Sequence, residues 1–295
     1  MSNINNPHDK FFKEVLGDLE TSKDFIKNYL PSELLNIINI DKLKIEKDSF
    51  IDDKLEEVFS DLLYKVEIQD KEGYLYFLFE HKSYHSSKIA LQLLKYMLRI
   101  WESKFKQDKK DNLPIIIPLV IYHGQREWNG ALNLNDLLVN ISEVVDKYVP
   151  DYQYLIYDLS RYSDDEIRGG AKLRVFLEIL RGVFREDFIE RFKKALRVLE
   201  ELEEKEKGIE YFEVIVRYVM NAKEDLSVND LEKATKEISS ERSEELMTIA
   251  EKLREEVRED VAKNLLKMNL NIEEIEEATG LSKEKILELK RRIAN

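Results

Sequence analysis

The period of apolar and polar residues changes several times along the chain, and each change predicts an element. Asp9 to Tyr29 carries the helical period and stops before Pro31. Leu34 to Ile40 fits a short helix or a strand, and Leu43 to Phe50 reads as a first strand. Two apolar runs then flank Asp70-Lys71-Glu72-Gly73, the pattern of a β-hairpin: Asp61-Leu62-Leu63-Tyr64-Lys65-Val66 and Tyr74-Leu75-Tyr76-Phe77-Leu78-Phe79-Glu80-His81-Lys82. Ile89 to Trp101 is an amphipathic helix. Ile115 to Tyr122 is a continuous apolar run expected as a buried strand, although Pro118 cannot donate a ladder hydrogen bond. Tyr152 to Leu159 is a further strand. From about Ser163 onward only helical patterns occur, with breaks expected at Gly169-Gly170 and Gly208. Strands flanked by helices imply an α/β or α+β layer fold around a small mixed sheet, followed by an all-helical C-terminal extension.

The hairpin concentrates the chemistry. Asp61 opens the first strand, and Glu80 and Lys82 close the second. With the pairing centre inside the turn, Asp61 sits opposite residue 80, 81 or 82. Glu80 and Lys82 are two apart and share a face, whereas His81 points away. Asp61 opposite Glu80 or Lys82 brings two carboxylates and an amine together; opposite His81 it does not, because a one-residue slip reverses the face. Two carboxylates and a lysine suit metal-assisted phosphodiester cleavage. Carboxylate oxygens hold Mg2+ (or Mn2+), the metal acidifies a water, and the lysine orients that water or stabilises the transition state. Taken alone, the triplet reads first as a surface salt bridge at a strand end, where Glu-x-Lys is common; its context favours the catalytic reading.

On the next helix Lys88, Gln92, Lys95, Tyr96 and Arg99 fall at spacings of three and four on its polar side, where they could meet the carboxylates or a phosphate backbone. Lys88 and Arg99 by themselves read as a solvated face. Asp61, Glu80-His81-Lys82-Ser83, Gln92-x-x-x-Tyr96 and Tyr122-His123-Gly124 together resemble the recombination-promoting nuclease family, also labelled as transposases, within the PD-(D/E)XK nuclease superfamily. His8-Asp9-x-x-Phe12-Lys13, Leu113-Pro114-Ile115 and Trp128 fit the same pattern. The resemblance covers about the first half of the chain well and the extreme C-terminus more loosely. It implies a PD-(D/E)XK-like mixed sheet flanked by helices and a magnesium-dependent DNA endonuclease that promotes recombination. By position, Asp61 and Glu80 would be metal ligands, Lys82 the catalytic lysine and Gln92 an accessory residue. Many family members carry Gln where this chain has Lys82; the lysine matches the broader superfamily. The alternative is a non-catalytic DNA-binding or self-association scaffold that keeps the nuclease fold.

Charge tempers the DNA reading. The 295 residues carry a formal net charge of −13, which repels DNA at long range unless cations cluster. Clusters exist at Lys104, Lys106, Lys109 and Lys110, and at Lys283, Lys285, Lys290, Arg291 and Arg292. Tyr96, Arg99, Lys104, Lys285, Arg291 and Arg292 are therefore the candidate DNA contacts. The charge run Glu200 to Glu206 reads as a solvated helix. With 43% apolar residues the chain can build a core, and with no cysteine it holds neither disulfides nor thiolate metal sites. No apolar run is long enough to cross a membrane, and the polar start lacks a signal peptide, so no membrane partner and a cytoplasmic location are expected.

Outside the hairpin, His123 at a strand end could be a ligand or base, but reads first as a turn histidine bonded to backbone. His8 could cap or anchor the first helix, and Asp9 complements its N-terminus. Trp101 and Trp128 read as core or rim aromatics. Near the C-terminus, Asn271 and Glu274 form a capping box, Gly280 suits a left-handed helix end, and Ser282 caps the last helix. That helix has a net charge of +3, so the pair resembles a helix-turn-helix; packing or homo-oligomerisation is the other reading. Leu246, Ala250, Leu253 and Val257 form a short heptad-like seam. The expected organisation is a nuclease-like core at 1–162, a helical extension at 163–260 and the C-terminal hairpin at 261–295.

Overall fold

The computed structural model describes residues 6–46, 60–80, 88–108, 112–139, 143–201, 205–223 and 225–294. The chain divides into two compact units, Met1–Lys223 and Glu224–Asn295. The first holds a five-stranded sheet in the order β1(Ile38–Glu46), β2(Ser60–Ile68), β3(Lys71–Glu80), β4(Ile115–Tyr122), β5(Leu155–Asp158). β1, β2 and β3 pair antiparallel, while β3, β4 and β5 pair parallel. The long helix α4(Ile89–Asp108) makes the crossover that a parallel β3–β4 pair requires.

The region expected as one helix from Asp9 to Tyr29 is two, α1(Pro7–Leu16) and α2(Leu19–Tyr29). A continuous helix would bond the Leu16 carbonyl to the backbone of residue 20. Here that carbonyl accepts from Ser22 Oγ and Tyr64 OH instead, which ties the helix end to β2. Asp18 then caps α2 through the Thr21 amide and hydroxyl. Asn6, not His8, caps α1, accepting from the His8 amide with Pro7 in the first turn. Residues 34–40 combine the end of a short helix, α3(Ser32–Leu35), with the start of β1.

The hairpin turn is tighter than the sequence suggested. It consists of Gln69 and Asp70, both with positive φ (48° and 62°), the pattern of a two-residue type I′ turn. Gly73 lies inside β3, where a Cβ would sit 2.5 Å from Ile68 Cδ1. Pro118 is tolerated in β4 because β5 begins to pair only at Leu119, leaving one side of the strand free at that point.

The two sheet faces bury different partners. Tyr74, Tyr76, Leu78, Val120 and Tyr122 pack with Ile89, Leu93, Tyr96, Met97 and Ile100 of α4. On the other face Phe77 and Phe79 meet Phe25 and Phe12, with ring centroids 5.6 and 4.5 Å apart. Helices α5(Ala171–Gly182), α6(Phe188–Leu199) and α7(Lys205–Ala222) complete this unit. Gly169 (φ +106°) and Gly170 do break the chain before α5, but Gly208 is buried within α7. The charge run from Glu200 is not one helix either, since α6 ends at Leu199 and helix resumes at Lys205.

α5 and α6 share a buried ionic network. The Glu178 carboxylate accepts from Arg181 (2.5 Å) and Arg191 (3.1 Å), and Arg181 also reaches Asp164. Removing Glu178 takes one acceptor from the buried Arg181, which keeps Asp164 and the Tyr162 carbonyl, and from Arg191, which keeps Asp187. Glu178→Ala is expected to destabilise the protein by about 1.5–3 kcal/mol, read as a lower urea midpoint by circular dichroism. An unchanged midpoint would show that solvent replaces the carboxylate at little cost.

The second unit contains α8(Val228–Lys236), α9(Ser240–Lys267), α10(Ile272–Thr279) and α11(Lys283–Ala294). Ala262, Ile275, Leu281, Ile286 and Leu289 form its small core. The Asn271–Glu274 capping box and the left-handed Gly280 (φ 69°) fall where the sequence placed them. The heptad-like seam does not persist: Leu246 and Ala250 are buried, but Val257 is 64% exposed. Among the described residues no helix is long and apolar enough to cross a membrane.

Candidate active site

Strand register builds the site. Asp61 pairs with Leu78, rather than with residue 80, 81 or 82 as the longer turn implied. The two-residue turn moves the pairing centre, but by an even number of positions relative to Glu80 and Lys82. Cross-strand partners share a face and alternate residues return to it. Position 61 therefore lies on the same face as 78 and 80. Parallel pairing extends the row, since Glu80 pairs with Tyr122 and Tyr122 with Asp158. Positions 61, 80, 122 and 158 thus occupy the α4 face at one end of the sheet. Glu80 is 5% exposed. Lys82, His81 and Ser83 lie outside the described residues, as does the side chain of Asp61. Burial, then the negative charges of Asp158 and Glu80, push the Tyr122 hydroxyl above the usual phenol range, so it keeps its proton at neutral pH.

Asp158 is a carboxylate at this end that sequence reasoning missed. It is saturated by protein donors: the Trp128 amide (2.7 Å), the Ser160 amide (3.0 Å) and hydroxyl (2.6 Å), and Arg161 Nε (3.3 Å). It fixes the segment after β4, and Trp128 packs edge-on against Tyr122 (5.0 Å). The Asp-x-Ser spacing of a local side-chain turn was its only sequence signal.

α4 divides its polar-side candidates. Lys88 and Lys95 are exposed and Arg99 is half-buried. Tyr96 faces the sheet, 5.2 Å from the Tyr76 ring, and so does not lie on the polar side assigned to it. A tyrosine three residues after Leu93 and four before Ile100 falls within the buried arc. Gln92 lies at the boundary, and its buried Nε2 has no hydrogen-bond partner among the described residues. Lys104 lies over the Tyr74 ring at 5.3 Å. In the second unit Lys285 pairs with Glu259 (2.8 Å) and Arg292 with Glu288 (2.5 Å), while Arg291 is exposed. Lys109 and Lys110 lie outside the described residues.

His123 occupies the opposite sheet face. Its ring is stacked between Phe79 and Phe184, with Nε2 3.0 Å from His8 Nδ1. His8 Nδ1 is also 2.8 Å from the Tyr218 hydroxyl. Two imidazole nitrogens this close act as donor and acceptor, so at least one ring is neutral. Beyond the backbone bond from its amide to the Glu80 carbonyl (3.0 Å), His123 makes side-chain contacts that no turn assignment foresaw.

A mixed sheet whose antiparallel hairpin leads through a helical crossover into a parallel strand, with a buried acid at the end of the second hairpin strand, defines an α+β protein of PD-(D/E)XK-like architecture. The chain belongs to the family described as "Putative transposase, YhgA-like", which matches residues 6–210. It is 28% identical over 285 residues to the recombination-promoting nuclease RpnA of Escherichia coli (strain K12), covering 95% of this chain and 96% of that one. It is 37% identical over 120 residues to the recombination-promoting nuclease RpnD of Escherichia coli O157:H7, covering 41% and 46%. It is also 28% identical over 257 residues to the inactive recombination-promoting nuclease-like protein RpnE of Escherichia coli (strain K12), covering 86% and 84%. No solved structure matches the chain significantly.

Proposed function

We propose that this protein is a metal-dependent DNA endonuclease acting in recombination. The observation that carries the reading is the hairpin register, which sets position 61 on the same sheet face as the buried Glu80. The names of the related proteins RpnA and RpnD support it. Among the described residues no group of three or more His, Cys, Asp or Glu side chains could hold a metal. Magnesium, however, binds through one or two carboxylates and keeps several waters, so the donor set of Asp61 and Glu80 fits it in number and hardness. A bound magnesium or manganese ion would supply an acidified water and charge neutralisation at the phosphate.

The chain's own residues take the remaining roles. Asp61 and Glu80 would hold the ion, and Lys82 would orient the attacking water and stabilise charge on the phosphate oxygens. The water oxygen bonds to phosphorus as the bond to the 3′ oxygen breaks, and that oxygen takes up a proton to leave a 3′-hydroxyl. The unpartnered Gln92 Nε2 would donate to the substrate or to a ligating carboxylate. Arg99 and Lys104 in the first unit, and Lys285, Arg291 and Arg292 in the second, would meet the DNA backbone; Tyr96 would support the site from within the core.

A second reading rests on the comparisons. A relative matched over most of its length is named inactive, which favours a DNA-binding or self-association scaffold that retains the fold. Incubating the full chain with supercoiled plasmid separates the two. The nuclease reading expects nicked and linear DNA with magnesium and none with excess chelator. Intact plasmid with both magnesium and manganese leaves the scaffold.

A further inference from the structure

Four cations on one side of α4 line up without acidic partners among the described residues. Several helical cations in other elements are bound by acids one turn away: Lys193 to Glu190, Arg217 to Glu213, Arg254 to Glu251, Lys263 to Asp260 and Arg292 to Glu288. Others, such as Lys13, Arg197 and Arg291, pair with no acid among the described residues but are not aligned with one another on one helix. Lys88, Lys95, Arg99 and Lys106 make no ion pair with any described residue. At 100° per residue these four fall within about 40° of arc, and at 1.5 Å per residue they span about 27 Å. They form one straight row, and within α4 Glu102 is the acid that falls beside it by helical angle. The opposite side of α4 is buried against the sheet, so the row faces away from the core.

The row also has a direction. α4 begins a few residues after Glu80 and runs back along the sheet to the hairpin end, where Lys104 covers Tyr74. It therefore starts at the carboxylate end of the sheet. Four unpaired cations in line make a positive stripe on an acidic protein, and such a stripe attracts a polyanion. A length of about 27 Å equals the axial rise of roughly eight base pairs of a duplex, so each of the four cations can meet its own phosphate. We infer that Lys88, Lys95, Arg99 and Lys106 form a track for the DNA backbone that leads to the candidate active site. This rests on the nuclease reading for its endpoint, but not for the binding itself. Leu91, Leu98 and Phe105 are exposed along one flank of the row. A protein partner held by those side chains would not depend on the cations, and the test separates it.

The experiment is binding of a 30-base-pair duplex to the full chain by fluorescence anisotropy, with chelator present so that no cleavage occurs, over a range of salt. Each neutralised phosphate contact contributes about 0.9 to the slope of log affinity against log salt. The combined variant Lys88→Gln, Lys95→Gln, Arg99→Gln, Lys106→Gln is expected to flatten the slope by about 3 to 4, and each single change by about 1. The single variants keep the test alive should the combined one misfold. Glu102→Gln is expected to tighten binding, and Lys193→Gln with Lys263→Gln, which disrupts paired cations, to leave the slope unchanged. An unchanged slope in the row variants, or no duplex binding by wild type, overturns the track. Binding that depends on the row, without cleavage in magnesium or in manganese, removes the nuclease reading and leaves the track. Cleavage by wild type with an unaltered slope in the variants does the reverse.

Discussion

Lys82→Ala is expected to lower magnesium-dependent DNA cleavage by about 10²–10³-fold while leaving metal binding intact. The substitution removes a cation that would act on the attacking water and on phosphate charge, but it leaves Asp61 and Glu80 in place. A positive charge near the carboxylates competes with a metal ion, so affinity for magnesium should hold or rise in the alanine variant. A loss confined to the chemical step appears as a fall in the cleavage rate at saturating DNA, not as weaker DNA or metal binding. Lys82→Gln is the informative companion. Glutamine can orient water without supplying charge, so partial activity is expected from it and almost none from alanine. Wild type that cuts single- and double-stranded DNA no better than Lys82→Ala, in magnesium or manganese, removes the catalytic role of Lys82, and the nuclease reading falls with it when neither protein cuts.

What could be read from the residues in advance followed the range of the forces involved. β4 was expected at Ile115–Tyr122 and lies there, because an uninterrupted apolar run has few other fates. The Asn271–Glu274 box and Gly280 were legible because capping is local chemistry. The hairpin was legible but its register was not. Glycine at position 73 pointed to the wrong turn, while Gln69 and Asp70 take up the left-handed conformations, with the Gln69 amide bonded to the Ile37 carbonyl (2.9 Å). The shared face of positions 61 and 80 survived that error only because the shift was even. The division of α1 from α2 depends on Tyr64, 48 residues from the carbonyl it binds, and no local pattern announces it. The same holds for the His8–Tyr218 contact across 210 residues. Tyr96 was misplaced because a phenol counts as polar by composition, yet its ring packs as an apolar surface.

Asp61→Asn is the substitution with the broadest consequence. It keeps the shape of the side chain and removes the charge, so it isolates the ligand role from packing. If Asp61 and Glu80 share one ion, magnesium binds only the folded state and stabilises it by RT ln(1 + [Mg]/Kd), about 2.7 kcal/mol at a hundredfold excess over Kd. For a unit of this size that is a rise in Tm of roughly 5–10 °C. Asp61→Asn is expected to abolish the rise and to reduce cleavage to the level seen with excess chelator. Comparison with potassium chloride at matched ionic strength removes general screening. The position of Asp61 also sets the contrast with the remote cations. Loss of a row cation on α4 changes the salt dependence of DNA binding but not the magnesium-induced shift in Tm. Loss of Asp61 does the opposite: it erases that shift and leaves the binding slope in chelator as it was. Should wild type and Asp61→Asn respond to magnesium alike, the ion does not bind at this face, and Glu80 is a buried carboxylate with a structural role.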